Sequence, residues 1–167
     1  MATPSKVHLS LATRGEYHRP GITEESAAKA SQILQENHEN YHIFFNQDQF
    51  HNHIAHHILT LYALGANPAQ LQSQYDLNKT YQRPPEELKP SIVDDMHDPA
   101  RYKTYLGKEQ YYRDFLVFFQ QEMEAKGWEA VVNEYVFEGD ERADDMLVRL
   151  FAGTSSFAHC PLRMGSE

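Results

Sequence analysis

Apolar residues recur at helical spacing along most of the chain, and the runs break at glycine and proline. The first residues lack such a run. Pro4, Gly15, Pro20 and Gly21 interrupt it and only Val7 to Leu11 alternate weakly, which predicts an irregular arm over residues 1–22. Thr23 is a suitable N-cap, with Glu24 and Glu25 in the first turn where the helix dipole favours carboxylates. Ala28, Ile33, Leu34 and Tyr41 share a broad stripe, so the spacing predicts a helix over residues 24–45. Ile54, Ile58, Leu61 and Leu64 predict a second over 49–64, closed by Gly65 as a left-handed C-cap. Asn67 and Pro68, cap and first residue, open a third through Leu71 and Tyr75 toward Lys79.

Paired prolines at 84 and 85 remove donors and push the preceding residue out of helical geometry, so residues 82–103 read as mostly loop. Tyr111, Tyr112, Phe115, Phe118 and Phe119 then recur at three and four, predicting a helix over 107–126 that Gly127 closes. Two shorter helices are expected over 128–137 and 141–151, with Gly139 between them. No set of strands is offered for pairing. The class is therefore all-α, an irregular arm followed by a bundle of five or six helices.

A chain of 167 residues fits one compact domain, with residues 23–153 as its helical region and 154–167 as a tail. Fifteen Lys and Arg against twenty-four Asp and Glu leave a net charge of −9, which speaks against binding nucleic acid. Cys160 is the single cysteine, so no internal disulfide forms and a reducing, cytoplasmic setting is expected. Apolar runs such as 115–119 fall far below the roughly 18 residues of a membrane span, and the mean hydropathy is −0.66. No membrane association is expected. The first fifteen residues lack the continuous apolar core of a secretory signal.

The ten histidines change the picture, because imidazoles gathered on one face imply chemistry. On a helical projection His53, His56 and His57 fall within about 100° of arc with Thr60, while His51, Ile54 and Ile58 lie on another face. His38 and His42, four apart, can also point the same way. Such a wall can ligate a metal, shuttle protons near neutral pH or hydrogen-bond a phenol, and spacing does not choose among these. Neither HExxH nor paired CxxC completes a metal set; Asp94, Asp95 and Asp98 offer carboxylates, though an acidic loop cluster is more often simply solvated. The aromatic stripe at 111–119 serves as core or lines a pocket for a flat polycycle. Asn52, Tyr62, Tyr81 and Arg83 are polar handles able to anchor phenols or a carboxylate. Glycine patterns for nucleotides and the GxSxG elbow are missing, which sets aside nucleotide cradles and serine hydrolases.

Three segments carry a resemblance: NHENYHIFFN at 37–46, FHNHIAHHILTLYALGA at 50–66 and NKTYQRP at 78–84. In this order they resemble the questin oxidase-like, or AflY-type, family of fungal oxidoreductases, and YLGKEQYY, EYVFEG and ERADDMLVRLFAG extend the likeness over residues 33–153. The resemblance implies a Baeyer-Villiger-type monooxygenase acting on an anthraquinone-like aromatic polyketide in fungal secondary metabolism, with NADPH as reductant and molecular oxygen as co-substrate. On it, His38, His42, His53, His56 and His57 form the catalytic wall and Asn52, Tyr62, Tyr81 and Arg83 contact substrate. It also implies that this chain matches an N-terminal portion of longer proteins, with the tail TSSFAHCPLRMGSE departing from the family pattern. Two other readings stand beside it: a non-catalytic helical module that binds a ligand, itself or a partner chain, and a metal-binding helical protein.

Overall fold

Thr23 starts the first helix as its sequence predicts, its side chain accepting a hydrogen bond from the Ser26 amide at 3.2 Å. The computed structural model describes residues 2–12 and 17–140, with 143, 144 and 146. Among them stand seven α-helices and no strand. The chain divides into two compact units, Met1–Leu88 and Lys89–Glu167.

In the first unit α1 runs Glu24–Asn40, α2 Ile54–Ala63 and α3 Pro68–Lys79. Both histidine-bearing helices are shorter than expected, for one physical reason. Beyond Asn40 the backbone leaves the helix to pair elsewhere. The His42 amide donates to the Arg83 carbonyl at 3.0 Å, the Phe45 amide to Phe50 at 2.8 Å and the Asn52 amide to Ile43 at 2.6 Å. An antiparallel bridge between Phe44 and His51 closes this loop, and Gln49 takes φ 61° at its tip. Residues 41–53 are therefore a pinched loop, not two helix ends.

The close of α2 follows the expectation. Gly65 adopts φ 84°, a conformation that costs glycine little, and the Ala66 amide reaches back to the Leu61 carbonyl at 3.0 Å. Asn67 and Gln70 then form a reciprocal capping box for α3. Ala27, Ala30, Ile33 and Leu34 of α1 pack with Ile54, Ile58 and Tyr62 of α2 and Leu71 and Tyr75 of α3. The stripe of α1 is thus rotated from the predicted one: Ala28 is exposed, while Ala27 and Ala30 bring the helix axes close. The arm lies along α1, its Val7 and Leu9 amides donating to Gln35 Oε1 and Ser31 Oγ, each at 2.8 Å.

The second unit corrects the loop expected over 82–103. Residues 82–89 are irregular, but α4 (Pro90–Asp95) and α5 (Pro99–Tyr105) follow. Each begins with proline at its first position, where the missing N–H has no partner to lose, and Asp98 caps α5 through the Ala100 amide at 2.9 Å. A 3-10 turn, Glu109–Tyr111, leads into α6 (Tyr112–Lys126), which Gly127 ends; α7 (Trp128–Val132) runs on into a π turn, Asn133–Phe137. The aromatic stripe is core at Phe118 and partly exposed at Tyr111, Tyr112, Phe115 and Phe119. Phe118 is fully buried, with Tyr102 and Tyr135 rings 5.8 and 5.7 Å away. Among the acidic residues of the 94–98 stretch, Asp95 is held by Arg101 and the Tyr105 hydroxyl and Asp98 serves as the α5 cap. The helix expected over 141–151 lies mostly outside the described residues, as does the tail 154–167 with Cys160.

Candidate functional site

The pinched loop and the start of α2 decide where the histidines go. His42 follows α1 and is fully buried; its Nδ1 accepts the Phe44 amide at 2.9 Å, which puts the proton of the neutral ring on Nε2. That bond holds the loop's entry. Phe44 packs against His42 at 5.7 Å on one side and edge-on against His51 at 5.0 Å on the other. His53 is the N-cap residue of α2, exposed, and its ring meets that of His56 edge-on at 5.9 Å.

His51 is the residue that helical spacing misplaces. The projection sends it to the face of Ile54 and Ile58, yet the helix begins only at Ile54 and His51 sits in the bridge. There, burial holds its pKa below the usual histidine value, and the neighbouring charges of His53 and His56 lower it further. The turn-forming run Asn46 to Gln49 between two aromatic pairs is the signal that could have revealed this loop. His38 lies half-buried in the last turn of α1, and His57 half-buried on α2.

The polar handles divide. Asn52 is 8 % exposed and its amide is used within the protein: Nδ2 donates to Asn37 Oδ1 at 2.9 Å and to the His42 carbonyl at 3.4 Å, while Oδ1 accepts the Ile54 amide at 3.0 Å. One side chain thus ties the end of α1, the loop and the start of α2. Arg83 is half-buried; it donates to the Asn46 carbonyl at 3.3 Å and pairs with Glu86 at 3.2 Å, steadying the loop from its other side. Tyr81 is exposed, its hydroxyl on Asn78 Oδ1 at 2.6 Å and its ring edge-on to Phe45 at 5.4 Å. Phe45 in turn stacks on the half-exposed Phe50 at 6.1 Å. Tyr62 lies away from this group, near the end of α2, lining a cavity beneath the arm.

The arrangement offers imidazoles of unequal character, His51 kept neutral and His53 and His56 open to water, and separately an aromatic group made by Phe45, Phe50 and Tyr81. Such a set can take a proton from a phenol and lie against a flat ring. Among the described residues no three His, Cys, Asp or Glu side chains gather closely enough to hold a metal ion. No described helix is long and apolar enough to cross a membrane.

A family model described as Questin oxidase-like matches residues 50–162. The chain is 40% identical over 166 residues to Oxidoreductase AflY of Aspergillus parasiticus, covering 98% of this chain and 33% of that protein. It is 40% identical over 136 residues to Baeyer-Villiger monooxygenase AacuH of Aspergillus aculeatus, covering 81% and 28%, and 34% identical over 153 residues to Questin oxidase of Aspergillus terreus, covering 92% and 34%. The chain spans about a third of the length of these relatives.

Proposed function

The chain belongs to the questin oxidase-like family, and on that premise we propose that it is part of a Baeyer-Villiger oxygenase acting on an anthraquinone-like aromatic polyketide in fungal secondary metabolism. The observation that carries the reading is the match of residues 50–162, which begins at Phe50 and takes in His51, His53, His56 and His57. Names of several relatives point to Baeyer-Villiger chemistry, and two are named questin oxidase. The cytoplasmic setting read from the single cysteine belongs to the same proposal.

A Baeyer-Villiger oxidation inserts one atom of dioxygen between a carbonyl carbon and its ring neighbour. The other atom leaves as water, with two electrons and two protons from a reductant. NADPH is the reductant in this reading. Among the described residues no strand leads through a glycine-rich turn into a helix, so the usual pyrophosphate cradle is not formed by them.

The chain's own residues account for proton handling and placement. His53 and His56 stand at the exposed start of α2, able to accept the proton of a substrate phenol and to steady the anion that forms. His51, held neutral, is a third acceptor at neutral pH. His42 and Asn52 fix the loop that presents them, while Phe50 and Tyr81 receive the flat ring face.

Turnover of questin with NADPH and air by the purified chain and by its His53→Ala and His56→Ala variants, followed by mass spectrometry, tests the proposal. Loss of a general base lowers the rate by about a hundredfold, and that fall is expected with helix content unchanged. Unaltered turnover in both variants would remove the histidines from the chemistry. A native chain that binds questin and converts none of it would favour the non-catalytic module.

A further inference from the structure

The arm and the end of α2 enclose a cavity of about 620 Å³ that belongs wholly to the first unit and is lined by none of the five histidines of the predicted wall. Its volume lies within the roughly 300–1,000 Å³ typical of small-molecule sites. Leu9, Leu11, Ile22 and Leu59 make aliphatic walls, with Tyr62 and Arg19 bringing polar ends. Among the described residues that line it there is no carboxylate, in a chain of net charge −9.

The Leu9 amide is held by Ser31 Oγ at 2.8 Å and the Arg19 amide donates to the Ala63 carbonyl at 2.8 Å, so each of these two lining residues is tied to a helix. Tyr62 is 6 % exposed, and its hydroxyl reaches the Ser10 carbonyl only at 3.5 Å, longer than the usual O–H···O distance of about 2.7 Å.

We propose that this cavity is a binding site for a small organic anion with an apolar body, the body between the leucines of the arm and α2 and the anionic end at Arg19. Aliphatic walls reward burial of the body by area, and an arginine among the lining residues favours a carboxylate or phenolate over its neutral analogue. The site stands whether or not the chain turns over any substrate.

Calorimetric titration of the whole chain with 2-naphthoate and with uncharged 2-naphthamide tests it. Saturable binding of both, naphthoate the tighter, is expected. Arg19→Gln leaves the backbone bond to Ala63 in place and should weaken naphthoate about 1.5- to fivefold, the range for a charge contact at a wet rim, without moving naphthamide. Leu59 is 42 % exposed, so Leu59→Trp fills the cavity without overpacking the core and should abolish both. The paired substitution His53→Ala and His56→Ala should alter neither, which separates this site from the histidine chemistry. Absence of saturable binding, binding that survives Leu59→Trp, an equal response of both probes to Arg19→Gln, or loss of binding with the histidines would each overturn the proposal.

Discussion

His51 shows how a single residue's setting departs from its place on a helical projection. Burial and the charges of His53 and His56 all disfavour its protonated form. Its folded pKa is therefore below its unfolded value, and the unfolded chain binds the extra proton first. The stabilisation is fully present above the unfolded value of about 6.5 and is lost as pH falls through the folded one. Proton NMR titration should place the His51 midpoint below the ordinary histidine range, moving up in a His53→Ala, His56→Ala chain. A His51 midpoint at the ordinary value, unmoved by those substitutions, would contradict the account of the cluster. The sequence announced the histidines but not their inequality, because inequality depends on which of them the loop buries.

At the scale of elements, the chain was legible wherever its signals were local. Thr23, Gly65 and the Asn67-Pro68 pair cap helices as read. The proline-led starts at Pro90 and Pro99 were equally local, yet they follow the helix-breaking pair at 84 and 85 and were absorbed into the same loop. The segment 41–53 is different in kind. Its amides pair across the loop and with Arg83, and contacts so distant in sequence leave no periodicity to read. Asn52 illustrates the consequence: read as a handle for substrate, it is a tie between α1, the loop and α2. Asn52→Ala should lower stability by about 1–3 kcal/mol, since buried partners lose their bonds, and urea unfolding measures it. A change below about 0.5 kcal/mol, ordinary for surface substitutions, would mean that the tie does not hold the loop.

Over the whole molecule, helical periodicity predicted the all-α class, while the histidine-rich segments pointed to the family that the matching relatives share. Neither signal reported the two units, each with its own buried set: aliphatic side chains and two tyrosines in the first, Tyr102, Phe118 and Tyr135 with Val93, Met96, Val131 and Ala143 in the second. Of the aromatic stripe at 111–119, Phe118 sits in that second core while Tyr111, Tyr112, Phe115 and Phe119 stay partly exposed, and a further aromatic group is made by Phe45, Phe50 and Tyr81. The central claim is oxygen insertion, and isotopically heavy oxygen gas tests it most directly. The chain, questin and NADPH under that gas should give a product carrying one heavy atom in a new ring ester or in the acid formed when the ester opens. A folded chain that yields no labelled product, with a full-length relative active in parallel, would contradict it.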